Sequence, residues 1–196
     1  VGVVSEKLFN KKFDLFDYYY VSLAPFFGLA VFVANSKDKF KTLQYDVIAI
    51  NPSLEQDHMG SCQRVLVGDA TTNKPLFWVV NIHLVHYTTA EGRKLREVEM
   101  KRVLKWMEEG SDLCDRVVMM GDHNTLMKNE KVMKCYEKEG YVSAYVEVNG
   151  KDPKSTWPSG IESVFMDLDG TEGNPEGVCL DFIMLKNMGG VVSARL

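Results

Sequence analysis

Cysteine and proline are scarce in this 196-residue sequence, and neither sign of charge dominates it. The four cysteines, Cys62, Cys114, Cys135 and Cys179, are scattered, with no Cys-x-x-Cys pair. That argues against a zinc site, and a chain of this length needs no disulfide framework; reduced, buried, apolar thiols are expected. A net charge of -4 gives no support to a surface that coats nucleic acid, although one local basic cleft would be averaged away in such a sum. No apolar run is long enough to span a bilayer; the nearest, residues 18–34, is interrupted by Ser22, Pro25 and Gly28. The opening Val1-Gly2-Val3-Val4-Ser5-Glu6 has no initiator Met and no basic region, so it does not read as a signal peptide. It reads as the inside of a strand, and the chain is expected to be a fragment of a soluble, intracellular protein, cytoplasmic or nuclear, with no stable membrane insertion. Oligomeric state is not legible.

What is present is enough apolar side chain, 45% of the residues, to bury a core in one domain. Near-continuous apolar runs at 28–33, 45–50, 64–67, 76–84, 116–120 and 180–185 predict strands buried on both faces. Two helices are expected. The first spans Ala90–Glu109, capped by Thr89 and stopped by Gly110, with an apolar face of Leu95, Val98, Met100, Val103, Leu104, Trp106 and Met107. Its basic residues Lys94, Arg96, Lys101, Arg102 and Lys105 alternate with Glu and read as a solvated face. The second covers about 128–139, with Val132, Met133 and Tyr136 inward and Gly140 as its stop. Loops at 51–63 and 149–179 are long for a compact domain, and such loops are usually functional or mobile. Strands with interspersed helices imply a layered, sheet-based protein.

Four places carry chemistry. In Met119-Met120-Gly121-Asp122-His123-Asn124-Thr125, an apolar strand runs into a carboxylate and, two positions on, an amide. Alternation along an extended chain would put Asp122 and Asn124 on one side, where they can orient a water or meet a phosphate oxygen. Gly-Asp-x-Asn is equally good turn chemistry. His83, between Ile82 and Leu84, is either a core histidine or an acid–base group. Asp181 sits inside an apolar strand, where an unpartnered carboxylate is costly, so it either serves a site or bonds backbone amides. Glu6, leaving an apolar run, is a candidate metal ligand or an ordinary exposed charge.

In this order, the segments resemble the endonuclease/exonuclease/phosphatase (DNase I-like) superfamily. Asn81-Ile82-His83-Leu84 is similar to its Asn-Thr-His-Leu strand, Gly121-Asp122-His123-Asn124 to its Gly-Asp-Phe-Asn, and Leu180-Asp181-Phe182-Ile183 to its Leu-Asp-Tyr-Ile. Gly28-Leu29-Ala30-Val31-Phe32, Gly140-Tyr141 and Ser155-Thr156-Trp157-Pro158-Ser159 fit as well. The departures are His123 for Phe, Ser5-Glu6 in place of Gln-Glu, no earlier Asn motif and no Ser-Asp-His after Asp181; the chain is thus expected to be a partial domain over 1–196.

The resemblance implies an α+β fold, a four-layer α/β/β/α sandwich with two mixed sheets face to face and helices outside. It implies a Mg²⁺-dependent phosphoester hydrolase, with Mn²⁺ as a substitute. Glu6 would hold the metal, Asp122 orient or activate water, Asn124 bond the phosphate, and His83 bind phosphate or protonate the leaving group. Asp181 would orient a terminal His. Nucleic acid is favoured as substrate over phospholipid or inositol phosphate from how the family is populated. Trp157 would then stack on a base or anchor its loop. The competing reading is an inactive relative serving as an interaction module, to which His123 lends weight. A calcium loop at Asp167 and Asp169, with Glu176, is disfavoured because Phe165 would fall at its first ligand position.

Overall fold

Alternation along the strands sets the layers of this protein. The computed structural model describes residues 16–24, 27–34, 39–51, 61–87, 89–125, 131–151, 153, 155–156 and 179–189. The strands are β1 (Phe16–Ala24), β2 (Phe27–Ala34), β3 (Phe40–Ala49), β4 (Ser61–Asp69), β5 (Pro75–His83), β6 (Val117–Asp122), β7 (Val142–Ser143) and β8 (Asp181–Lys186). The helices are α1 (Ala90–Glu109), α2 (Lys131–Lys138) and α3 (Ala144–Asn149). Strands β3-β4-β5-β6-β8-β7 form one six-stranded sheet, while β1 and β2 form an antiparallel pair of their own. Only β5 and β6 run parallel among the described pairs, and α1 supplies the crossover that a parallel pair requires.

One face of the sheet turns Trp78, Val80, Ile82, Val117, Met119, Phe182 and Met184 towards Met100, Val103 and Met107 of α1 and Val132, Met133 and Tyr136 of α2. Each fully buried side chain of this kind stabilises the fold by roughly 1.5–3 kcal/mol. On the other face, Val65 and Val67 of β4 pack with Val31 and Val33 of β2. The protein is thus an α+β sandwich, and the described residues supply three of its four expected layers: helices, the six-stranded sheet and the β1–β2 hairpin. Among the described residues no helix is long and apolar enough to cross a membrane.

Helix α1 has the expected bounds, and Thr89 Oγ1 accepts a hydrogen bond from the Gly92 N–H at 3.1 Å. Its buried stripe differs from the expected one. Gly92, Arg96, Glu99, Met100, Val103 and Met107 face inward, while Val98 is 50% exposed. Arg96 is therefore no part of a solvated face. The run 18–34 is a hairpin of two strands, and β4 begins inside the expected 51–63 loop. The short β7 and α3 follow α2, where no element was expected. Glu6, Trp157, Asp167, Asp169 and Glu176 lie outside the described residues.

Candidate active site

Three of the residues singled out by sequence come together at adjoining strand ends. In the parallel β5–β6 register His83 pairs with Asp122, and in the antiparallel β6–β8 register Asp122 pairs with Asp181. Because Trp78, Val80 and Ile82 point to the helices, Asn81 and His83 point the other way. The same alternation puts Met120 and Asp122 of β6, and Asp181 and Ile183 of β8, on that face. His83, Asp122 and Asp181 thus form a row across three strands, above a second row of Asn81, Met120 and Ile183. A cavity of about 290 Å³ adjoins the row, walled by Met120, Tyr145, Phe182 and Ile183 and bounded by Asn81 and Asp181.

Gly121 makes the close approach possible. Its φ is +131°, and a Cβ there would lie 2.1 Å from the Ile82 carbonyl oxygen. Only glycine lets β6 run flush against β5 at this level and deliver Asp122 beside His83. His83 Nε2 lies 3.7 Å from Asp122 Oδ2. Asp122 Oδ1 accepts a hydrogen bond from the Asn124 N–H at 2.8 Å, an Asx turn that closes directly after the strand.

Asn124 does not continue the strand beside Asp122, as alternation suggested. It adopts a left-handed φ of 47°, tolerated by Asn, and is 4% exposed. Its amide Nδ2 donates to the Leu84 carbonyl at 2.8 Å, and the Leu84 N–H donates to the Asp122 carbonyl at 3.0 Å. The turn reading of Gly121-Asp122-His123-Asn124 therefore holds, and the turn places the Asp122 carboxylate beside His83.

Burial raises the proton affinity of Asp122 above the ordinary carboxylate range; the Asn124 N–H, His83 and Arg96 oppose the rise, and the Asp181 charge adds to it. Like charges on directly opposed residues destabilise a sheet, so the Asp122–Asp181 pair is not there for stability. A carboxylate with raised proton affinity accepts a proton from water more readily than an ordinary one. Thr156 Oγ1 accepts from the Leu180 and Asp181 N–H groups at 3.0 and 3.1 Å and so fixes the start of β8.

His123 faces away from this row. It is fully buried between Tyr136 and Phe182, with Nδ1 2.8 Å from the Gly121 carbonyl and Nε2 2.7 Å from the Tyr136 hydroxyl. The Gly121 carbonyl can only accept, so Nδ1–H donates to it, and burial favours the neutral ring, whose Nε2 can accept from the Tyr136 hydroxyl. Burial pushes its pKa down to about 4. It stands in the core as an aromatic residue would, and its presence carries no weight for an inactive site.

Among the described residues, no group of three or more His, Cys, Asp or Glu side chains is arranged to hold a metal ion. The opposed carboxylates of Asp122 and Asp181 are nonetheless hard oxygen donors, and the raised proton affinity of Asp122 is what a nearby cation would relieve.

Sequence reading missed Arg96, Glu99 and Asn51, all buried at the rear of the loop that leaves His83. The signal was present in the spacing: positions 92, 96, 99, 100, 103 and 107 form a single helical stripe, and two of them are charged.

No family model and no curated protein matches the chain. Solved structures do. An endonuclease/exonuclease/phosphatase family protein from Bacteroides thetaiotaomicron superposes with a TM-score of 0.60 at 15% identity, covering 88% of this chain and 61% of that one. A mannosyl-6-phosphatase of the same organism gives 0.61 at 15% identity, covering 89% and 64%. D. rerio TDP2 in complex with a single-strand DNA product gives 0.62 at 14% identity, covering 96% and 67%. The chain spans about two thirds or less of the first of these structures. At these identities the likeness shows the fold, which is the one that the sequence resemblance implied.

Proposed function

We propose that this chain, with its endonuclease/exonuclease/phosphatase fold, belongs to a Mg²⁺-dependent phosphodiesterase that acts on nucleic acid. The observation that carries the reading is the row of His83, Asp122 and Asp181 in register at three adjoining strand ends. Asp122, with its raised proton affinity, orients the attacking water and takes its proton. His83, 3.7 Å away, binds the phosphate or protonates the leaving oxygen. Asn124, whose amide keeps a second N–H beyond the one given to Leu84, contributes that hydrogen bond to a phosphate oxygen. Asp181 would orient the histidine of a terminal Ser-Asp-His motif, which does not follow it in this sequence. Glu6 would hold the metal, and Mg²⁺, or Mn²⁺ in its place, would neutralise phosphate charge when bound.

The solved complex of D. rerio TDP2 with a DNA product supports a nucleic acid substrate, and the mannosyl-6-phosphatase supports a phosphate ester of another kind. The test is hydrolysis of bis(4-nitrophenyl) phosphate by the full-length protein, with Mg²⁺ and with EDTA, beside an Asp122→Ala variant. Metal-dependent turnover that the variant loses by about a hundredfold or more supports the reading. No turnover on this diester or on RNA, DNA and phospholipid panels would leave the interaction module as the better account.

A further inference from the structure

The backbone that leaves His83 is held from two sides. On the sheet side, Leu84 exchanges hydrogen bonds with Asp122 and Asn124. On the helix side, Glu99 Oε2 accepts from the Val85 N–H at 2.9 Å, and Glu99 Oε1 accepts from Asn51 Nδ2 at 3.3 Å. Arg96 Nη1 donates to the Tyr87 carbonyl at 2.7 Å and to the Val85 carbonyl at 3.3 Å. Gly92, one turn earlier, brings the helix so near that a Cβ would lie 2.1 Å from the Tyr87 oxygen. Arg96 is 1% exposed and Glu99 fully buried.

We propose that Arg96 and Glu99 of α1 are positioning residues of the candidate site, gripping the Val85–Tyr87 backbone so that His83 is presented to Asp122. This rests on the phosphoesterase reading of that site. Stability alone does not account for the pair, because buried ions are weak stabilisers that apolar residues of similar volume often replace without loss. A loop whose N–H and C=O groups are buried needs polar partners, and the two side chains supply them where the chain passes behind His83. Asn51, two residues past the end of β3, ties a second strand end into the same carboxylate. The Arg96 charge also lowers the proton affinity of Asp122, so the grip reaches the reacting row electrostatically as well as through the backbone.

The experiment uses the full-length protein, ¹⁵N-labelled, with Glu99→Ala, Glu99→Gln and Arg96→Lys variants. Two readouts are taken together: the ring signals of His83, assigned with His83→Gln, and kcat/KM on bis(4-nitrophenyl) phosphate with Mg²⁺. Glu99→Ala is expected to move the His83 ring signals and the Val85 amide and to lower kcat/KM by about tenfold to a hundredfold. Glu99→Gln keeps an acceptor for the Val85 N–H and can pair its amide with a flipped Asn51. It is expected to return kcat/KM to within a few-fold of the parent. Unmoved His83 signals in a folded Glu99→Ala protein overturn the proposal, as does equal loss of activity in both Glu99 variants with the ring signals unmoved. If Glu99→Ala does not fold, Arg96→Lys decides by the same signals: the shorter, point-charged side chain displaces them if the fork holds the loop and leaves them in place if it does not. A parent protein without turnover sinks the phosphoesterase reading alone, because the ring signals still report whether α1 positions His83.

Discussion

His83 Nε2 and Asp122 Oδ2 stand 3.7 Å apart, beyond a direct hydrogen bond but close enough for His83 to lower the proton affinity of Asp122. The gap is set by backbone register, since the two residues are Cα partners in the parallel β5–β6 pair. What neighbours do to that register, or to the Asp122 charge, is therefore open to measurement.

Asp181→Asn should shift the pH dependence of catalysis. Burial chiefly, and the Asp181 charge in addition, raise the Asp122 pKa. If ionised Asp122 is the working base, kcat/KM falls as pH drops through that pKa. Its acid limb then lies above the usual carboxylate value of about 3.9. Removing the Asp181 charge lowers the pKa and moves the limb to lower pH. A limb that stays in place, in a pH series from 4 to 8, would separate the two carboxylates functionally.

Gly121→Ala should be damaging out of proportion to one methyl group. The residue has φ of +131°, and the new Cβ would meet the Ile82 carbonyl oxygen at 2.1 Å. A loss on the order of 2–4 kcal/mol in urea unfolding is expected, with activity falling further than stability because Asp122 moves with its strand. A variant of parental stability would contradict the flush β5–β6 packing.

Glu99→Gln should stabilise the fold at neutral and mildly alkaline pH. Burial lifts the Glu99 pKa from 4.5 to about 7, against the Val85 and Asn51 hydrogen bonds and the Arg96 charge. The unfolded chain ionises this group first, so its contribution is complete below about 4.5 and is lost as pH rises towards 7, by about 3 kcal/mol in all. Glutamine has no such loss. Urea midpoints should therefore diverge between pH 5 and pH 8, with the variant ahead at pH 8; parallel curves would show that Glu99 ionises freely.

His123→Phe should leave catalysis within a few-fold of the parent and flatten the acid side of the stability curve. A pKa lowered from 6.5 to about 4 means that the unfolded chain takes up a proton which the folded chain refuses. Stability from this group is present above about 6.5 and lost as pH falls towards 4, again by about 3 kcal/mol. Thermal unfolding from pH 4 to 7 gives the comparison. A large loss of activity would place His123 in the site after all.

Much of this was legible in the sequence because the relevant signals are local. Thr89 and Gly110 bracket α1 through capping chemistry that needs no tertiary context, and the bounds agree. The apolar runs around His83, Asp122 and Asp181 gave β5, β6 and β8, and their ends carry the row. Tertiary facts were not legible. Val98 looked apolar enough for the core, yet the stripe that faces the sheet passes through Arg96 and Glu99, whose partners are carbonyls and amides of distant loops. Alternation put Asn124 beside Asp122, but the Asx turn and the pull of the Leu84 carbonyl end the strand first. His123 looked like a departure from a catalytic pattern and proved to be a satisfied core residue, because its partner Tyr136 comes from a helix that follows it.

Strand order adds a constraint on the chain's synthesis. β8 is inserted between β6 and β7, although it is the last of the described strands in sequence. Until residues 181–186 have left the ribosome, β6 presents an open edge of unpaired N–H and C=O groups beside apolar side chains, a template for aggregation. Docking of β8 seals that edge and brings Asp181 opposite Asp122 in one event. A chain that stops before residue 181 therefore lacks both the partner that covers this edge of β6 and the Asp181 carboxylate opposite Asp122.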